Sequence, residues 1–165
     1  MITAEVVRER FVLDETTGVF TWRVQVANNR KAGSVAGSVE GNGYVQIWIT
    51  NRSYKAHRLV WLYVYGAWPE NQIDHINGVR TDNRPSNLRD VTKSVNLQNQ
   101  RRAHAHSTHG FLGVRIETRW GAKPRYSAKI NVNGHRRSLG AFDTAEEAHA
   151  AYLNAKRVEH PGCTI

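Results

Sequence analysis

The chain has 165 residues, of which 40% are hydrophobic, and a formal net charge of +9 at pH 7. That size holds one medium domain or two small ones, and that apolar content argues against wholesale disorder. No apolar run reaches the ~18–20 residues of a membrane span, and a single cysteine, Cys163, excludes an internal disulfide and a thiolate zinc ribbon.

In chain order, residues 3–13 are predicted as a short helix contacting the core through Val6, Val7, Phe11 and Val12. No basic stretch followed by an apolar one precedes it, so no signal peptide is expected, and a reducing, cytoplasmic setting is. Asp14–Gly18 is turn chemistry, and Val19–Arg23 reads as a strand. Residues 26–42, rich in Gly, Asn and Ser, read as loop. Tyr44–Thr50 is a second strand with Asn51–Ser53 as its turn. Ala56–Tyr65 has a helical pattern with Gly66 as its stop. Residues 103–110 have no apolar period and read as a linker.

From Gly113 a new unit begins, with strands at Gly113–Glu117, Arg125–Val132 and His135–Leu139. Asn133-Gly134 is a two-residue hairpin signal between the last two. Asp143–Val158 is a helix. Thr144 and Glu147 form a capping box at its start, and Ala145, Ala148, Ala151, Tyr152 and Ala155 make one apolar stripe. On the second strand Tyr126, Ala128, Ile130 and Val132 are expected to pack on that stripe, leaving Arg125, Ser127, Lys129 and Asn131 exposed. The positive charge concentrates here: residues 101–140 hold nine Lys and Arg against one acid, Glu117. Such a block is the footprint of phosphate contacts, and a basic sheet face suits a DNA major groove.

The stretch 71–101 carries chemistry. It contains Ile73-Asp74-His75-Ile76-Asn77-Gly78, then Asp82-Asn83-Arg84-Pro85-Ser86-Asn87-Leu88-Arg89, then Asn96-Leu97-Gln98-Asn99. Hydrolysis of a phosphodiester needs a base for water, a group that holds the base, and a cation at the departing oxygen. Histidine ionises near working pH. A carboxylate and an amide oxygen suit Mg²⁺, a hard ion that keeps waters and substrate phosphate as its other ligands. Asp74, His75, Asn87 and Asn96 supply these parts on a strand, a turn-rich loop, a short strand (Leu88–Val91) and a helix capped near Thr92. Neighbours on a regular strand point to opposite faces, so Asp74 and His75 serve one phosphate only if the strand ends or bends there.

This stretch resembles the HNH endonuclease motif on the ββα-metal fold, and within it the phage homing endonucleases whose third motif residue is asparagine. Gly43-Tyr44 and Tyr54-Lys-Ala-His57-Arg58-Leu-Val-Trp61 are also similar to that family, so the likeness runs over roughly residues 14–101. The resemblance implies that His75 is the general base, that Asp74 and Asn96 are metal ligands, and that Asn87 orients the base. It implies one Mg²⁺ per site, with Mn²⁺ as a substitute. Asparagine at 96, where many such enzymes carry histidine, favours these ions over Zn²⁺. Two readings of His57 stay open, a contact to DNA or the active-site strand, and packing beside its helix. Arg58, Arg84 and Arg89 either clamp phosphates or stay solvated and pair with Asp82 and Asp90. His104, His106 and His109 belong to a linker sooner than to a metal site.

Residues 110–160 resemble the plant ethylene-responsive-factor (apetala-two) DNA-binding domain. The likeness rests on Gly113-Val-Arg115, Trp120-Gly121, Tyr126-Ser-Ala-Lys-Ile130, Ser138-Leu-Gly140 and Phe142–Ala148 with Ala151-Tyr152. By that resemblance Arg115, Trp120, Arg125, Lys129 and Arg136 face DNA. Glu117 and Ser138 depart from it, so the plant domain's base preference does not carry over.

The expected architecture is α+β. N-terminal strands and a helix together with a ββα-metal nuclease module occupy residues 1–102, and a three-stranded antiparallel sheet packed on one helix occupies 111–165, joined by the linker at 103–110. The expected activity is metal-dependent cleavage of double-stranded DNA leaving 5′-phosphate and 3′-hydroxyl ends, with no obligatory protein partner. The alternatives are a DNA-binding regulator with an inactive nuclease module and a weakly specific nuclease.

Overall fold

The computed structural model describes residues 2–28, 30–103, 107, 110–118 and 123–165. Trp120, His104, His106 and His109 lie outside the described residues. The chain divides into two compact units, Met1–Lys93 and Ser94–Ile165. The division falls ahead of the linker expected at 103–110, because residues 98–100 are fastened within the second unit. Gly162 N donates to Gln98 Oε1 at 3.0 Å, and the Lys156 ammonium donates to the Gln100 carbonyl.

The first unit opens with α1 (Ala4–Arg10) and the hairpin β1 (Phe11–Asp14) and β2 (Val19–Trp22). The helix expected over 3–13 therefore stops at Arg10. Phe11 and Leu13 alternate with exposed Val12, and that period of two suits a strand with one buried face. Phe11 packs on Phe20 and Trp22, with ring centroids 5.5 and 4.6 Å apart.

A three-stranded antiparallel sheet follows: β3 (Ser38–Val39), β4 (Val45–Ile49) and β5 (Arg52–Lys55), with β4 central. The turn expected at Asn51–Ser53 is instead Thr50-Asn51. Both residues have positive φ, 45° and 61°, as a tight two-residue hairpin requires, which frees Arg52–Lys55 to pair with β4. Next comes α2 (Ala56–Tyr65), closed by Gly66 in the left-handed conformation as expected. It buries Leu59, Val60 and Leu62 against Ile47, Ile49, Ile73 and Leu88 in one apolar cluster.

Finally β6 (Gln72–His75) pairs antiparallel with β7 (Leu88–Val91), setting Asp74 opposite Arg89 and His75 opposite Leu88. The intervening loop contains one 3₁₀ turn at Pro85–Asn87.

The second unit holds α3 (Lys93–Gln98, whose first residue belongs to the other unit), the antiparallel sheet β8 (Val114–Glu117), β9 (Arg125–Val132) and β10 (His135–Phe142), and α4 (Ala145–Glu159). The strand expected to end at Leu139 continues to Phe142 past a bulge between Ser138 and Gly140. The capping box at Thr144 and Glu147 is formed. Ala128 and Ile130 of β9 are buried with Ala145 and Ala148 of α4. The opposite face of β9 is less open than alternation implies. Ser127, in the middle of the central strand, is buried and donates to the Arg115 carbonyl at 3.4 Å.

Candidate active site

His75 is the last residue of β6, and Asp74 precedes it. Both are buried, at 4% and 7% exposure. Breaking strand alternation in this way requires cover on both sides of the hairpin. The His75 ring meets His57 of α2, centroids 5.1 Å apart and nearly perpendicular, and Tyr44 beside β4 at 5.8 Å. Asp74 receives Nε and Nη2 of its cross-strand neighbour Arg89 on one carboxylate oxygen, at 2.9 and 2.8 Å. The pair is half shielded from water, so removing either partner strands the other charge.

The strand stops because the backbone turns at once. Gly78 N donates to His75 O at 2.8 Å, with Gly78 at φ 73°. Asn87 then staples the loop. Its Oδ1 accepts from Asn77 N at 3.0 Å, while its Nδ2 donates to Asn77 Oδ1 at 3.0 Å and to Asp82 O at 2.7 Å. The hydrogen bond to the His75 ring comes from elsewhere: His75 Nε2 lies 3.1 Å from Oδ1 of buried Asn83. A carboxamide oxygen only accepts, so Nε2 carries the proton and Nδ1 carries the lone pair a base requires.

Burial holds His75 below the ordinary histidine pKa. The Asn83 bond and the charges of Asp74 and Asp82 oppose that shift. His57 is pulled down to about 3, first by burial, then by His75, Arg58 and Lys55. Both imidazoles are therefore neutral near pH 7. His57 Nδ1 is buried without a hydrogen-bond partner among the described residues. Asp82 sits at about 2 because Arg84 and Asn77 donate to it.

A histidine with a lowered folded-state pKa binds its proton more readily in the unfolded chain. Its contribution to stability is complete above the unfolded value of about 6.5 and is lost as pH falls toward 3. The stability of the folded chain is expected to drop between pH 6 and pH 4, with His57 adding about 1.4 kcal/mol per pH unit. Replacing His57 by Phe is expected to flatten that slope by one proton's worth. Urea melts at a series of pH values check it, and an unchanged slope would show that His57 is not buried neutral.

Arg84 pairs with Asp82, and Arg89 pairs with Asp74, not Asp90. Asp90 accepts from the Glu70 and Asn71 backbone nitrogens instead. Arg58 stacks on Trp68 with its guanidinium carbon 5.7 Å from the ring centre.

Asn96 lies on α3, half-buried and within the second unit. Among the described residues no three His, Cys, Asp or Glu side chains cluster as a cation site. The carboxylate beside His75 is a hard oxygen donor, as Mg²⁺ or Mn²⁺ requires.

In the second unit, cross-strand partners place Arg115, Arg125, Lys129 and Arg136 on one face of the sheet. Arg115, Arg125 and Arg136 are exposed, whereas Lys129 is half-buried and pairs with Glu117 at 3.6 Å. Arg125 donates to Ala141 O at 2.9 Å and faces Asp143 at 3.5 Å.

The Asn83 bond to His75, the pairing of Arg89 with Asp74 and the packing of Tyr44 on His75 are the contacts that the sequence did not foretell. Asn83 sits in a loop without period, and only its position between the motif elements pointed to it.

Residues 54–98 match a family model described as HNH endonuclease. The matched segment runs from β5 to the end of α3 and contains His57, Asp74, His75, Asn83, Asn87, Arg89 and Asn96. That match, over residues 54–98, marks the chain as carrying a nuclease segment, that of a hydrolase acting on DNA. Comparison with curated proteins and with solved structures returned no match.

Proposed function

We propose that this chain is a homing-type endonuclease that hydrolyses one phosphodiester bond per encounter with duplex DNA, using His75 as general base. The observation that carries the reading is the buried, neutral His75, fixed through Nε2 by Asn83 so that Nδ1 keeps the lone pair, next to a carboxylate held by Arg89. His75 takes the proton of the attacking water through Nδ1. Asn87 positions it indirectly, by pinning the loop that carries Asn83. Asp74 and Asn96 are the proposed ligands of one Mg²⁺ or Mn²⁺. The first is supported by its charge and its Arg89 clamp, the second by the order and spacing of the motif in a ββα-metal arrangement. When bound, the ion supplies positive charge to the phosphate oxygens and to the departing 3′ oxygen. The products are then 5′-phosphate and 3′-hydroxyl ends.

The second unit is proposed to dock on flanking duplex through an apetala-two-like sheet. Arg115, Arg125, Lys129, Arg136 and Trp120 are its contact residues. A chain with one such site nicks, unless two chains meet at one target.

The test is cleavage of supercoiled plasmid and of a long DNA carrying a selected target, with Mg²⁺, with Mn²⁺ and with EDTA. Relaxed circles, a few discrete bands and ends that DNA ligase reseals are expected, all abolished by EDTA. Cleavage that persists in EDTA, or ends that need a phosphate added before ligation, would overturn the mechanism. A smear in place of bands would overturn the homing role alone.

A further inference from the structure

With Arg84 of the loop between β6 and β7 and Arg89 of β7 paired to Asp82 and Asp74, that loop still offers an exposed guanidinium without an acid partner, that of Arg80. It is held without a carboxylate: no acid lies within ion-pair distance of Arg80 among the described residues. Its Nη1 donates to Asn42 O at 2.7 Å, and its guanidinium carbon sits 5.0 Å from the centre of the Tyr44 ring. Its stem runs beside Gly43, where an added Cβ would already lie 3.6 Å from Arg80 Cδ. The same Tyr44 ring touches His75 at 5.8 Å and His57 at 5.2 Å. Lys55 also approaches Tyr44, at 5.6 Å, but Glu40 neutralises it.

A planar fork with one donor spent on a backbone carbonyl keeps the others for an anion. Stacking on an aromatic ring fixes it in advance, so less side-chain entropy is lost on binding. Its charge also reaches His75, where it opposes protonation of the ring.

We propose that Arg80, seated on Tyr44 and on the turn at Asn42 and Gly43, forms a phosphate-binding subsite beside His75 that takes a backbone phosphate of the DNA strand being cut. It rests on the reading of His75 as the base of a DNA nuclease. It assigns the clamp to an exposed arginine of the β6–β7 loop that has no acid partner, in place of Arg84 and Arg89, which pair with Asp82 and Asp74.

The test uses the full chain with Arg80→Gln and Arg80→Lys beside wild type, all checked for equal melting temperature. Binding to a duplex carrying a selected target is measured in EDTA across a salt series, so no cleavage enters the reading. Arg80→Gln is expected to bind about tenfold more weakly at low salt and to lower the slope of log affinity against log salt by about one phosphate contact. Arg80→Lys is expected to restore that slope, because it returns the charge. With Mg²⁺, single-turnover cleavage by Arg80→Gln is expected to fall roughly ten- to a hundredfold, and Arg80→Lys to lie between.

A wild-type slope and affinity in Arg80→Gln would overturn the subsite, as would an Arg80→Lys slope equal to that of Arg80→Gln. Absence of cleavage by wild type, with the difference in slope intact, would instead sink the nuclease mechanism and leave the phosphate contact standing.

Discussion

His75→Ala is expected to lower the single-turnover cleavage rate about a thousandfold while DNA affinity stays within a few-fold of wild type. A positioned general base contributes typically 10²–10⁴ in rate. Affinity is spared because His75 is buried and uncharged, and the phosphate contacts that dominate binding lie elsewhere. The variant has a structural side effect, since Asn83 Oδ1 loses its donor inside the fold, a cost of about 1–3 kcal/mol. His75→Gln separates the two effects. Its amide can donate to Asn83 and restore stability, yet it cannot act as a base. Both variants should therefore cut equally poorly, and only Ala should melt early. If His75→Gln cut within tenfold of wild type, the base would have to be another group, and neutral His57 is the nearest imidazole.

Much of the frame around that histidine was legible beforehand, for reasons that can be named. The strand pair β6 and β7 was readable because apolar Ile73 and Leu88 mark the buried positions and Asn77-Gly78 marks the stop. The second unit's hairpin followed from Asn133-Gly134, where Asn133 takes φ 51° and Gly134 φ 83°, and its helix start followed from the Thr144 box. What escaped were contacts closed by the tertiary fold. Arg89 had acids at 82 and 90 as near neighbours in sequence, yet the register of β6 against β7 hands it to Asp74. Asn87 and Asn83 are chemically alike and four positions apart in one loop. Only the path of that loop decides that Asn83 reaches the imidazole while Asn87 fastens backbone. The same holds for Phe11–Asp14. Its apolar residues fit a helix pattern locally, and pairing with β2 makes them a strand.

The effect with the longest reach through this fold is expected at Gly18, far in sequence from the motif. Gly18 closes the turn between β1 and β2, with its N–H on Asp14 O at 2.7 Å, and it takes φ 72°, where a side chain is disfavoured. It is buried against the peptide joining Asn83 to Arg84. A Cβ on Gly18 would fall well inside contact distance of the Asn83 carbonyl carbon and the Arg84 nitrogen, and backbone cannot swing aside as a flexible side chain can. Gly18→Ala therefore carries a left-handed backbone cost of about 1–2 kcal/mol and an overpacking cost of about 1–3 kcal/mol. Any relief moves Asn83, whose Oδ1 is the hydrogen-bond partner of the His75 ring. A displacement of about 1 Å at a base is enough for a loss of about a hundredfold in rate. The expected result is a chain melting early by a few kcal/mol and cutting slowly even well below its melting point, with its affinity for duplex DNA retained. Gly18→Ala with both wild-type melting and wild-type cleavage would mean that the turn and the Asn83 loop are not in contact. A loss of stability alone, with an unchanged rate per folded molecule, would mean that Asn83 does not position the base.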